Sequence, residues 1–177
     1  TGGRPITGPP VFDPKNGSTT DAPDTQTVTF SFESFTAIWE HRKYAGSPQE
    51  NHRIGAYFYG SEGVFHMGWR DGWTFYPRQS SQSPFHQEPS FDHEQDGHNL
   101  TLLWRDFMDA IDHGKQPVAG IESSHRSSVL PMLGMISYRL GRSLQWNGSR
   151  ETILGDPEAL SLMKRSYRKP WAYPSGA

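Results

Sequence analysis

"GAYFYGSEGVFHMGWRDGWTFYP", Gly55 to Pro77, reads as three short strands joined by two turns. Gly-Ser-Glu-Gly and Arg-Asp-Gly supply small, turn-forming residues where the chain must reverse. Within the strands the side chains alternate, so Tyr57 and Tyr59 take one face while Ala56 and Phe58 take the other. Both faces therefore carry rings. A sheet covered by helices on one side and aromatic on the other predicts association between copies of the chain through the uncovered face.

Working outward, "TQTVTFSF" places Val28, Phe30 and Phe32 in alternation with Thr27, Thr29 and Ser31. "FTAIWEHR" follows after a tight turn near Glu33 and Ser34, so the two form a hairpin. Five short strands with brief connections predict an antiparallel meander. Before them, residues 1–23 are rich in Gly, Pro, Thr and Asp without periodicity and are expected to form an irregular arm, with one domain over residues 24–177. Gln79 to Gly97 is polar and reads as a long loop.

Helices come after the strands. Leu100, Leu103, Trp104, Phe107, Met108 and Ile111 recur at helical spacing, closed by Gly114 and Pro117. Val129, Leu133, Ile136 and Leu140 make a second apolar stripe, started by Ser123 or Ser124 and ended by Gly141. Pro131 lies inside that stripe and is expected to kink the helix or mark its true start. "SLQW" is expected to extend the sheet. Asp156-Pro157-Glu158 unites a capping side chain, a first-position proline and a first-turn acid, and predicts a third helix with Leu160, Met163 and Tyr167 on its apolar side. Strands first and helices afterwards predict an α+β fold: an open, largely antiparallel β-sheet with helices packed on one face and the other face free for oligomerisation.

Composition bounds the function. The 177 residues suit one domain, and a net charge of -2 offers no general attraction for nucleic acid or an anionic membrane. No apolar run approaches the roughly 20 residues of a membrane span. Cysteine is absent, which removes disulfide and thiolate chemistry. Hydrophobic content is 33% while aromatics reach 13%, so much of the burial must come from rings.

The glycines of "GAYFYGSEG" lie between strands rather than at a strand-to-helix turn, so the chain carries no dinucleotide fingerprint. "FHQEPSFDHEQDGH" gathers His86, His93 and His98 among Glu88, Asp92, Glu94 and Asp96, but at a spacing that matches no compact metal motif, and no metal site is expected. Serines 123, 124, 127 and 128 flank His125 without a nucleophile elbow and read as helix-start residues. His125 and Arg126 lie at a helix start, a setting suited to polyol hydroxyls or anions, although Arg126 also stands one turn from Glu122. "IWEHR" places Trp39 and His41 on one strand face and Glu40 and Arg42 on the other, either as ring packing and an ion pair or as a pocket rim. Sites of the form Asn-x-Ser/Thr stand at Asn16, Asn99 and Asn147.

Taken together, "DAPDTQTVTFSF", "IWEHR", "GAYFYGSEGVF", "FMDAIDHGKQPVAGIESSHRSS", "LGMISYRLGRSLQW" and "GDPEALSLMKRSYRKPW" strongly resemble, in collinear order, the C-terminal part of bacterial Gfo/Idh/MocA-family oxidoreductases. The branch common in planctomycetes is the nearest in pattern. Pro131 and Met135 depart from it. The resemblance implies an open sheet used for substrate binding and subunit association, and a sugar, inositol or related polyol turned over with NAD(H) or NADP(H). It also implies that the family's Rossmann domain, its Glu-Lys-Pro lysine and its Asp/His motif lie upstream of the matched region. No catalytic or cofactor-binding residue is therefore assigned here, and the chain by itself is expected to be catalytically silent.

The residues expected to touch substrate are His125, Arg126, Trp39 and Arg42. Expected partners are a second copy of the chain through the sheet face, the missing Rossmann domain and a small sugar or polyol, with neither nucleic acid nor membrane. The cytoplasm is the expected compartment, or the periplasm if an export signal lies upstream. A stand-alone carbohydrate-binding or scaffold module of the same fold is the alternative reading, motivated by the aromatic surface.

Overall fold

The computed structural model describes residues 1–13, 17–18, 20–43, 54–69, 71–90, 96–165 and 167–172. In chain order the elements are β1 (Gly2–Gly3), β2 (Phe12–Asp13), β3 (Gly17–Ser18), β4 (Thr25–Ser31), β5 (Thr36–Arg42), β6 (Gly55–Gly60), β7 (Gly63–Gly68), β8 (Trp73–Pro77), β9 (Phe85–Gln87), α1 (Asp96–His113), α2 (Ile121–Leu140), β10 (Gln145–Asn147), β11 (Thr152–Leu154) and α3 (Pro157–Ser161). Every strand pairing is antiparallel, and the fold is α+β. The strands do not form the single meander expected. They divide between two compact units, Thr1–Tyr44 with Glu122–Ala177, and Ala45–Ile121.

In the first unit the predicted hairpin is β4–β5, in register from Thr25↔Arg42 to Ser31↔Thr36. The turn closes with the Phe32 amide donating to the Phe35 carbonyl at 2.9 Å. The N-terminal arm is not wholly irregular, because β1 adds to the free edge of β4. Asp24, buried, anchors the arm by accepting from the amides of Ile6 and Thr7 at 2.9 Å each. Arg4 clasps it from the other side, donating to the carbonyls of Gly8 at 2.6 Å, Ala22 at 2.9 Å and Thr20.

Helix α2 packs on the β1–β4–β5 sheet through small residues. The Gln26 side-chain amide donates to the Gly134 carbonyl at 2.9 Å, in a buried contact. A Cβ on Gly134 would stand 3.0 Å from the Val28 side chain, so glycine lets the helix backbone approach the strand. The expected stripe forms the core: Leu133 is buried with Ile153 and Ala159, and Val129, Ile136 and Leu140 pack around them with Leu144 and Trp146. Pro131 neither breaks nor starts the helix, which runs unbroken from Ile121 to Leu140. Its side is exposed, so the carbonyl that loses an amide partner there faces solvent rather than an apolar interior. Gly141, at φ 67°, ends the helix as expected, with its amide and that of Arg142 returning to the Ser137 carbonyl.

"SLQW" does not extend the sheet. Its residues form β10, which pairs with β11 in a separate hairpin in the register Trp146↔Ile153. Helix α3 starts as expected, with Asp156 accepting from the Ala159 amide and Pro157 in the first turn. It ends at Ser161, so Met163 and Tyr167 lie beyond it, and its buried residue is Ala159.

The second unit holds the sheet β6–β7–β8–β9 in sequential order. Residues directly opposite each other across strands share a face. Phe58, Phe65, Phe75 and Phe85 are successive partners and form a row across all four strands. Trp73 joins them, with ring centroids 5.4 Å from Phe65 and 5.3 Å from Phe85. The other face carries Tyr57, His66, Thr74 and His86 in one row. His66 is 1% exposed, with the Tyr57 ring 4.5 Å away. Gly72, at φ 65°, makes the second turn, where a Cβ would collide with the Gln87 carbonyl. Strand β9 lies inside the segment expected to be a loop. With three residues and a single apolar one, it carries too short a pattern to be read from alternation.

Helix α1 begins at Asp96, earlier than expected, and its last turn is closed by Gly114 at φ 62°. Its periodicity is helical, but Leu100, Leu103, Trp104, Phe107, Met108 and Ile111 are all exposed, at 45% to 60%. Among the described residues of this helix the buried one is Ala110.

Candidate functional site

The first turns of α2 and the tip of the β10–β11 hairpin meet at the surface of the first unit. His125 stands one turn before Val129, which extends the core stripe of α2 outward by four residues. Its Nε2 lies 3.0 Å from Oε1 of Glu151, with both side chains about half exposed. A carboxylate only accepts, so Nε2 carries a proton in this contact, and in the neutral ring Nδ1 is left as the acceptor. Among the described residues Nδ1 of His125 has no hydrogen-bond partner. Glu151 was not picked out from the sequence. It lies 26 residues from His125, and nothing in "NGSRET" marks a carboxylate that folds back to a helix.

Arg126 is turned to the other use its position allows. Its Nη2 donates to Oε1 of Glu122 at 2.6 Å, an exposed contact one turn back. The flanking serines are occupied locally: Ser127 and Ser128 donate to the carbonyls of Ser123 and Ser124, each at 2.8 Å. Their hydroxyls satisfy helix backbone rather than His125.

Trp39 and Arg42 lie on opposite faces of β5. Trp39 pairs with Val28, on the face against which α2 packs, and its indole N–H donates to Nδ1 of His41 at 3.4 Å. With Nδ1 accepting, Nε2 of His41 carries the proton and donates to the Pro23 carbonyl at 3.3 Å. Arg42 is on the threonine-lined face beside Thr25 and Thr27, and pairs with Glu40. The sheet thus stands between Trp39 and Arg42, and the two do not line one pocket.

A charged clasp holds the hairpin and α3 together. Arg142, just past the end of α2, donates from Nε and Nη2 to both oxygens of Asp156 at 2.8 Å each, and from Nη2 to Glu158 at 2.7 Å. The guanidinium, then the Ala159 amide, hold the Asp156 carboxyl down to about 2. The same contacts raise Arg142 above its already high range, through Asp156 first and Glu158 second. Asp156 therefore caps α3 and closes the loop that carries β10 and β11 with one side chain.

The histidine-rich segment offers less. His86 shares a 2.8 Å hydrogen bond between Nδ1 and the Thr74 hydroxyl, and its Nε2 lies 3.4 Å from Glu88. Among the described residues no three His, Asp or Glu side chains are grouped to hold a metal ion. Asp92, His93 and Glu94, and the side chains of Asp96 and His98, lie outside the described residues. In the second unit an open cleft of about 500 Å³ is lined by Tyr59, Gly60, Ser61, Val64, Tyr76 and Arg78. Among the described residues no helix is long and apolar enough to cross a membrane.

Residues 93–173 match the family model of the C-terminal alpha/beta domain of the Gfo/Idh/MocA oxidoreductase family. The match supports a domain of an oxidoreductase family, and its span contains His125, Arg126, Glu151 and the Arg142–Asp156 clasp but neither Trp39 nor Arg42. No curated protein and no solved structure matches the chain.

Proposed function

We propose that this chain is the substrate-binding and oligomerisation part of an NAD(P)-dependent oxidoreductase acting on a sugar or polyol. The observation that carries the reading is the match over residues 93–173 to the C-terminal domain of that family. In this reading the N-terminal part of α2 borders the substrate, with His125 accepting from a hydroxyl and Arg126 close enough to exchange Glu122 for a polar ligand group. Trp39, on the face of β5 against which α2 packs, serves as a further contact, while Arg42, on the opposite face and paired with Glu40, lies away from it.

The nicotinamide cofactor is assigned to a Rossmann domain outside this sequence. The described residues do not fit a dinucleotide. The glycines Gly60 and Gly63 join two strands, and the helix starts at α2 and α3 carry Glu122 and Asp156, whose charges oppose a pyrophosphate. No step of hydride transfer is built from these side chains.

Association is assigned to the phenylalanine face of β6–β9, where Phe58 and Phe85 are both more than half exposed. The functional reading is tested by titrating the chain calorimetrically with NAD+ and with a polyol panel. Polyol binding that His125→Ala weakens, without NAD+ binding, is the expected result. NAD+ binding at micromolar affinity or better would overturn it.

A further inference from the structure

We infer that Glu151 is a positioning residue for His125: its carboxylate, held in a backbone conformation unfavourable to glutamate, fixes the imidazole with Nδ1 left to accept from a ligand hydroxyl. This rests on the reading of His125 as a substrate contact and names the group that orients it.

The first observation is the backbone. Glu151 has φ 47°, and it is the non-glycine residue with positive φ among the described residues. In that region the Cβ crowds the following carbonyl, and glycine is the residue that avoids the cost. The same turn already contains Gly148, three residues earlier, yet the left-handed position holds a glutamate. Such strain persists where the surroundings over-determine it, and it gathers at functional positions.

The second observation is what over-determines it. Asn147 accepts through Oδ1 from the Arg150 amide and from the Ser149 hydroxyl, both at 2.9 Å, which fixes the turn internally. Trp146 and Ile153, paired across the hairpin, are seated in the core with Leu133 and Val129 of α2. The Glu151 backbone and the His125 backbone are thus both tied to one packed cluster. The carboxylate bridges them at 3.0 Å.

The third observation is exposure. Both side chains are about half exposed, and a surface pair of this kind adds little to stability. Stability alone therefore gives a weak reason to keep a strained glutamate here. Orientation gives a better one. A carboxylate on Nε2 restricts ring rotation and selects the Nε2–H form, so a hydroxyl-bearing ligand meets an acceptor at Nδ1 rather than a second donor.

The test uses the full chain with Glu151→Gly, Glu151→Gln and His125→Ala. Without ligand, three-bond couplings of His125 measured by NMR should report a single χ1 rotamer in the native chain and averaging in Glu151→Gly. An averaged rotamer in the native chain, or an unchanged one in Glu151→Gly, overturns the inference whether or not a probe binds. Titration with myo-inositol and D-glucose should then show affinity reduced roughly tenfold by Glu151→Gly, the size of one oriented hydrogen bond. Glu151→Gln, whose amide oxygen still accepts from Nε2, should recover most of the loss. The thermal midpoint of Glu151→Gly should be unchanged or higher, because glycine suits the backbone. A lower midpoint with unchanged affinity would mark a purely structural pair and overturn the inference. If His125→Ala leaves binding intact, the substrate reading of His125 falls. If His125→Ala weakens binding and Glu151→Gly does not, only the role of Glu151 falls.

Discussion

Arg142 and Asp156 stand 14 residues apart with a whole hairpin between them, yet the guanidinium meets both carboxylate oxygens. Half of this was legible in the sequence. Asp156-Pro157-Glu158 announces a helix start by local chemistry alone, and the Asp156 side chain does cap Ala159. The Arg142 partner was not legible, because its position after Gly141 suggests only a favourable place at the negative end of α2. The carboxyl of Asp156 is held below its ordinary value, so its stabilisation is present above pH 4 and is lost as pH falls towards about 2. Asp156→Asn should therefore lower denaturant resistance at pH 7, and the gap to the native chain should close by about pH 2. Urea unfolding at the two pH values checks this, and an equal gap at both would refute it. Asp24 obeys the same sign: amide donation from Thr7 lowers its carboxyl, so the anchor of the N-terminal arm also weakens in acid. His125 and Glu151 illustrate the opposite case, where the sequence offers the histidine but not its partner. A glutamate in a turn has no local signature for a contact 26 residues away.

In helix α2 the apolar stripe visible in the sequence is the one that packs into the core, and the reason is periodicity. Val129, Leu133, Ile136 and Leu140 recur at the helical period and all reach the core cluster. The same logic gave α1 its helix but not its burial, since periodicity fixes which residues share a face and not what meets that face. Gly134 shows the element-scale detail that periodicity misses. It looks like a weak point in a helix, yet it lets α2 come close to β4, where Val28 and Gln26 meet the helix. Gly134→Leu should cost on the order of 1–3 kcal/mol by overpacking against Val28. Chemical denaturation measures it, and adding Val28→Ala should recover part of the loss. No recovery would mean that the strain is relieved elsewhere. Leu133→Ala should cost about 2–5 kcal/mol through the cavity left beside Ile153 and Ala159.

Across the whole molecule the two larger sheets have different surfaces, which sets different expectations for them. The β1–β4–β5 sheet takes α2 on one face and shows threonines with Glu40 and Arg42 on the other. The β6–β9 sheet instead carries a phenylalanine row on one face and the Tyr57–His66–Thr74–His86 row on the other. Alternation alone established that rings occupy both faces of this meander. It did not show that phenylalanines from four strands align, because that depends on register. If the phenylalanine face joins copies of the chain, the double variant Phe58→Glu, Phe85→Glu should be monomeric by light scattering at micromolar concentration, with the native chain larger. A native chain that is already monomeric under those conditions would refute the assignment.

By itself, the sequence determined where most strands and helices lie, which turns join β6 to β8, how α2 ends and how α3 begins. These features follow from interactions within a few residues: the alternation of side chains along a strand, the helical repeat, capping and glycine turns. Only the tertiary structure decided that the strands divide among separate sheets and that β10 folds onto β11. It also decided that Glu151 reaches His125 and that Arg142 closes on Asp156. Those outcomes depend on packing and pairing between residues distant in the chain, where the energy lies in contacts that no local pattern encodes.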